Sequence, residues 1–246
     1  MTTSTSVRPA SAASARTQPA SWHKLGAALS FGNIGAVYVL AVIVAAFCVW
    51  IPQVFISGAT GQQILNSSAI TALAALSIVI PLATQTFDLS IGFVMSLSGV
   101  TAAYFVAHTS LPLPIAVFLG LGAAFVVGLI NATVVVIFKI DSFIATLATG
   151  SLIEAFITMV TNENPITSVR LTGSFASIAQ GQLLGLTLPV YYALAVATAV
   201  WYFLQHTVTG RRMYATGFNA DAARLAQIRT SRLRFAALLV SASLAR

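Results

Sequence analysis

The chain has 246 residues, 58% of them hydrophobic and only 7% charged, with a mean hydropathy of +0.91. Soluble domains carry about 25% charged residues, so too little polar sequence exists here to coat a water-soluble core. The formal net charge of +7 sits at the edges of apolar runs, which argues against nucleic-acid binding, and the single cysteine, Cys48, has no partner for an intrachain disulfide and reads as a packing residue. The expected class is an all-α polytopic integral membrane protein.

Residues 1–30 are rich in Ser, Thr and Ala, carry Arg8, Arg16 and Lys24, and contain no acid. That composition predicts a disordered cytosolic tail in preference to a transit peptide. Residues 31–246 then form the transmembrane domain. Six spans are predicted, at residues 34–56, 64–85, 91–107, 114–138, 143–160 and 188–204, each near the ~20 residues a helix needs to cross a bilayer. A seventh begins at Phe235 and reaches only Arg246, too short to cross, so the chain is expected to be incomplete at its C-terminus.

Charge sets the orientation. Six of the twelve Lys/Arg residues lie between Arg211 and Arg234, against the single acid Asp221. Together with the N-terminal tail and Lys139 they fall on one side of a six-span arrangement, whereas the other side holds Arg170. The positive-inside rule then places the N-terminus and the loop at residues 205–234 in the cytosol. Inside that loop a small-residue helical pattern runs from Asn219 to Ile228 and suggests a docking element for a cytosolic partner.

Span two is broken by Pro81, followed by Thr84, Gln85, Thr86 and Asp88. Polar, irregular backbone at membrane depth is tolerated only where protein or a water cavity surrounds it. Asp88 reads either as an N-cap of span three or as a pathway or gate residue. Asn131 lies about two turns inside span four and reads first as polar glue between helices. Glu154, near the middle of span five, requires a partner, water or a transport role. The longest outer loop, residues 162–187, includes a stretch at 173–184 that could form a short surface helix or a plain connector. The glycosylation triplets at Asn66 and Asn131 carry no weight, the second lying inside a span.

No phosphate-binding Gly-rich loop with Lys-Ser/Thr, no His-Glu-x-x-His, no Gly-x-Ser-x-Gly and no clustered metal ligands occur in the sequence. Enzyme chemistry, a metal and a cofactor are therefore not expected in this chain. Any driving energy must come from an ion gradient or a separate subunit, and intramembrane acids for an ion relay are limited to Glu154 and Asp88.

Three stretches taken together resemble the membrane permease subunits of ABC importers for simple sugars such as ribose and xylose, relatives of the branched-chain amino acid permeases. They are Thr86-Phe-Asp-Leu-Ser-Ile-Gly92; Gly128-Leu-Ile-Asn131 followed by Phe143-Ile-Ala-Thr-Leu-Ala-Thr149; and Gly210-Arg-Arg followed by Ala215-Thr-Gly-Phe-Asn-Ala-Asp-Ala-Ala-Arg-Leu225. The resemblance implies a cell-membrane transporter subunit, multi-pass in the bacterial inner membrane, paired with a second permease as a homo- or heterodimer. It also implies an extracytoplasmic solute-binding protein and cytosolic ATP-binding subunits that hold the ATP. By carry-over Asp88, Ser90 and Gly92 border the substrate pathway, with Asn131 and Glu154 as further pathway candidates. Gly217, Asn219, Ala222, Ala223 and Arg224 belong to the surface that couples to the ATPases. Two positions depart from the family pattern: Gln227 stands where a Gly is usual, and Glu154 where a basic residue is common. The alternatives are an ion-coupled secondary transporter and a truncated remnant that does not transport.

Overall fold

The computed structural model describes residues 31–173, 176 and 180–244; the N-terminal tail lies outside them. The chain divides into two compact units, Met1–Ser57 and Gly58–Arg246. The described part of the first is helix α1 (Phe31–Trp50) followed by the single turn α2 (Pro52–Phe55). Pro52 cannot continue α1, and the residue before it, Ile51, is pushed to φ −136°. The turn is held by stacking of Phe47 on Phe55, with ring centroids 5.7 Å apart.

The second unit contains α3 (Gly58–Leu82), α4 (Ile91–His108), α5 (Leu113–Val136) and α6 (Ser142–Thr161). A small hairpin follows, β1 (Gln182–Leu183) and β2 (Leu186–Thr187). It leads into α7 (Leu188–His206), α8 (Val208–Phe218), α9 (Ala220–Leu225) and α10 (Thr230–Leu244). Five of these helices, α3 to α7, are long and apolar enough to cross a membrane, and Gly35–Trp50 is a shorter apolar helix. The all-α membrane architecture is as expected. Among the described residues the count that length and apolarity give is five, beside a sequence expectation of six spans and the start of a seventh.

That supposed seventh span is the largest revision. It begins at Thr230, five residues before Phe235, and carries Arg232 and Arg234 in its first turns. Although only 15 residues long, α10 is the central helix of the unit, packed against α5 and α3. Ala237, Leu238 and Ser241 have no exposed surface. One apolar cluster joins Val94 and Leu97 of α4, Ala124 and Val127 of α5, Ile153 of α6 and Ala242 of α10. A second joins Ile80 of α3, Val200 and Leu204 of α7, Met213 of α8 and Ala237 of α10. Small residues make the close approach possible: a Cβ on Gly128 would lie 2.6 Å from the Cβ of Ala242.

The loop at residues 205–234 is mostly helical. α8 was not legible as a separate element; it starts where Thr207 Oγ1 accepts the Gly210 N–H at 3.0 Å. The helical pattern read at 219–228 is α9, one turn shorter at its C-terminal end. Asn219 caps it, its Oδ1 accepting the N–H groups of Asp221 and Ala222, both at 3.0 Å. Gln227 follows with φ +61°, a left-handed conformation that favours Gly, the residue the resemblance leads one to expect there.

At the opposite end of the unit, part of the stretch 173–184 lies outside the described residues. Among its described residues, 176 and 180 are helical, and 182–184 are strand and turn. Leu184 and Gly185, with φ of 51° and 81°, form the tight hairpin turn between β1 and β2. Gln182 and Gln62 exchange side-chain amide hydrogen bonds and tie this hairpin to α3.

Candidate functional site

Between α3 and α4 the chain makes a turn at residues 83–85 and then runs to Ser90 without helix or strand, and its burial alternates. Thr84, Thr86, Asp88 and Ser90 are buried, while Gln85, Phe87 and Leu89 are exposed. The segment is therefore an irregular ribbon whose polar side chains at every second position are turned inward, with Gln85, Phe87 and Leu89 outward. A water-soluble protein would place it the other way round.

The break begins at Pro81. Its carbonyl accepts the Thr84 and Thr86 N–H groups, at 2.9 and 3.1 Å, and both threonine hydroxyls lie within 3.0 Å of the same oxygen. Gln85 takes φ +54°, which ends the helix. From there the backbone needs partners it cannot find within itself. Helix α6 supplies two. Ser142 Oγ accepts the Phe87 N–H and Thr146 Oγ1 accepts the Leu89 N–H, each at 3.0 Å. Ser142 and Thr146 are four residues apart, on one face of the first turns of α6. Asp141 caps that helix by accepting the N–H groups of Phe143 and Ile144.

The inward face converges on Asp88. Its Oδ1 accepts from Ser90 N–H at 3.1 Å and Ser90 Oγ at 2.7 Å, and its Oδ2 accepts from Ser241 Oγ of α10 at 3.0 Å. Asn131 of α5 donates from Nδ2 to Ser90 Oγ at 2.8 Å. Three chain-distant elements therefore meet at one carboxylate: the ribbon, α5 and α10. Asp88 does not cap α4. Ser90 occupies the cap position, and the Asp88 carboxylate takes the N–H of Ser90 itself, one residue before the helix. Its more consequential bond is the one to Ser241, which latches the ribbon to the central helix. Asp88 is 2% exposed, and among the described residues no cation pairs with it. Its hydroxyl and N–H partners are thus what compensates its desolvation.

Of the five residues expected along a pathway, Asp88, Ser90 and Asn131 are brought into this network. Gly92 is exposed, with open space where a Cβ would project, and Glu154 is exposed on α6. The residues that sequence reading missed are Ser142, Thr146 and Ser241. The first two carried a signal, hydroxyls four apart directly after the Asp141 cap. Ser241 carried none, because only the packing of α10 brings it to Asp88.

The basic end of the unit contacts the same ribbon. Gly217 of α8 lies against the carbonyl of Ala83, where no side chain could fit. Beside this contact is a cleft of about 540 Å³ lined by Leu82, Ala83, Gln85, Tyr214 and Phe218. The residues expected to form a coupling surface divide into two groups. Gly217 and Ala223 face inward, Ala223 being 5% exposed, so neither is available to a partner. Asn219, Ala222 and Arg224 face outward, Arg224 in an ion pair with Asp221 at 3.0 Å. Beside them Phe218 and Leu225 are 96% and 88% exposed, the apolar part of this surface that sequence reading did not single out.

A polar ribbon latched between helices that can cross a membrane, with a helical cap resting on it, is an arrangement suited to a transporter subunit. Comparison with known proteins assigns the class. Residues 60–245 match the family described as the branched-chain amino acid transport system / permease component, and the chain belongs to that family. It is a multi-pass membrane protein. It is 30% identical over 206 residues to the ribose import permease protein of Haemophilus influenzae, covering 83% of this chain and 64% of that protein. It is 26% identical over 196 residues to the D-allose transport system permease protein of Escherichia coli, covering 80% of this chain and 60% of the relative. It is 30% identical over 202 residues to the fructose import permease protein of Rhizobium meliloti, covering 79% and 56%. The chain thus spans a little over half to just under two thirds of the length of these relatives. No solved structure matches it.

Proposed function

We propose that this chain serves as a permease subunit of an ATP-binding-cassette importer for a small sugar or similar polar solute. In this reading the end of the bundle bearing Arg211 to Arg234 faces the cytosol, where positive-inside sorting places such a loop. Phe218, Ala222, Arg224 and Leu225 form the surface on which a separate ATP-binding subunit docks, and ATP is held by that subunit. A solute-binding protein delivers the sugar from the opposite side, and a second permease completes the pathway. Asp88, Ser90 and Asn131 hold the ribbon beside that pathway in a defined conformation.

The observation that carries this reading is the contact of Gly217 with Ala83. It joins α8, which carries the exposed Phe218, to the turn at Ala83–Gln85 from which the ribbon starts, and so offers a push on Phe218 a route toward Asp88. Coupling between sites needs such an element with two arrangements that both sites bias. The import permease names of the ribose and fructose relatives point to the same class of function.

The test is co-purification from native membranes through a tag on the chain, with Phe218→Asp as comparison. Recovery of an ATP-binding subunit by the native chain, and its loss with Phe218→Asp while the chain stays folded, is the expected result. Recovery of the chain without any ATP-binding subunit, together with solute uptake that collapses when the ion gradient is dissipated, would replace the reading with a secondary transporter.

A further inference from the structure

Three arginines of the basic end converge on one cavity. It measures about 640 Å³ and is lined by Arg212 of α8, by Gln227, Ile228 and Arg229 of the turn after α9, and by Arg232 and Leu233 at the start of α10. No acid lines it. Asp221, the single acid of residues 205–234, is committed to Arg224 at 3.0 Å. Among the described residues no ion pair engages Arg212, Arg229 or Arg232. Positive-inside sorting counts charges in a loop and does not require that three of them surround one space. All three residues are exposed, so water screens their mutual repulsion, and the local positive potential left without a counter-charge favours an anion beside them.

We propose that this cavity is a binding site for a phosphate-bearing anion, and specifically for the headgroup of an anionic phospholipid. The guanidinium fork matches phosphate oxygens two at a time, a geometry that lysine lacks. The location selects the lipid source. Leu233, which lines the cavity, packs against the apolar cluster of Ile80, Val200 and Leu204 near the ends of α3 and α7, so the cavity adjoins the apolar spans on one side and the basic cap on the other. Ile228 and Leu233 give it an apolar side next to the arginines. Basic pockets between helices at this depth suit anionic headgroups with their first acyl carbons. The occupant would bridge α8 and α10, the two helices that touch the ribbon at Ala83 and Asp88.

The experiment is native mass spectrometry of the purified detergent-solubilised chain, titrated with phosphatidylglycerol or phosphatidylcholine. The expected result is retention of phosphatidylglycerol about tenfold above phosphatidylcholine. The combined variant Arg212→Gln, Arg229→Gln, Arg232→Gln should lose this preference. Arg211→Gln, which removes an adjacent charge that does not line the cavity, should keep it. If the triple variant does not fold, Arg229→Gln alone should lower the preference severalfold. Inorganic phosphate at millimolar concentration separates the sources. Equal displacement of both lipids with tight phosphate binding would assign the site to a soluble anion and overturn the lipid claim. An unchanged phosphatidylglycerol preference in the variant would overturn the site. So would an unchanged preference accompanied by loss of an acidic protein partner, which would make the arginines a protein contact.

Discussion

The ribbon at residues 84–90 and helix α1 solve the same solvent problem in opposite ways. α1 is apolar on every side and exposes Val39, Leu40, Val42 and Trp50. The ribbon sorts its residues strictly, Thr84, Thr86, Asp88 and Ser90 in, Phe87 and Leu89 out. A helix satisfies its own backbone, so α1 needs nothing from its neighbours. An irregular segment cannot, and in an apolar medium each unmet N–H or C=O costs several kcal/mol. The ribbon therefore takes two hydroxyls of α6 for its Phe87 and Leu89 N–H groups, while Ser241 of α10 and Asn131 of α5 bond the side chains of Asp88 and Ser90. Burial of the ribbon follows hydrogen-bond demand, beside apolar clusters that are buried by hydrophobicity.

Substitutions that deny the ribbon its partners should break that contrast most strongly. Asp88→Leu would leave the Ser90 N–H, Ser90 Oγ and Ser241 Oγ without their acceptor. At about 1–3 kcal/mol for each buried unsatisfied group, it should lower stability by roughly 3 kcal/mol or more. Thermal unfolding in detergent would show it, with Asp88→Asn falling between mutant and native because an amide oxygen can still accept. Gly128→Leu attacks the other side of α10 by driving a side chain into Ala242; overpacking of this kind costs about 1–3 kcal/mol and should appear as weakened protection of α10 in hydrogen exchange. Ser241→Ala removes a single donor to Asp88 Oδ2, for an expected loss of about 1–2 kcal/mol in the same unfolding assay. Glu154→Gln marks the low end. Its side chain is exposed and belongs to no hydrogen bond of the network, so stability should change by less than about 0.5 kcal/mol. A large loss there would place Glu154 against a partner chain and not against solvent or lipid.

Much of this was legible in the sequence. Apolar length alone located α3 to α7 to within a few residues at most ends, because composition and the bilayer's thickness constrain such helices so tightly. Pro81 and the polar residues after it announced the break. The alternation from Thr84 to Ser90 was also present in the sequence, though read only as irregular polar backbone. The importance of α10 was not legible. Fifteen residues look too short to span, and nothing local reveals that Ser241 meets Asp88 across 153 positions of sequence. Ala223 misled for a related reason. Small residues suit a partner's surface and a tight internal contact equally well, and only packing shows that Ala222 points out while Ala223 points in. The Gly expected at Gln227 had a physical cause, a left-handed turn that positions Arg229 at the cavity rim.

In the proposed function the exposed surface of α8 and α9 communicates with the ribbon through Gly217. The most direct test is Gly217→Leu in the permease assembled with its ATP-binding subunits, reading subunit retention and ATP-dependent solute uptake in the same preparation. The account predicts that the subunits remain bound through Phe218 and Leu225 while uptake falls about tenfold or more, because the added side chain separates α8 from Ala83. Uptake at the native level, with the subunits bound and the chain folded, would contradict it.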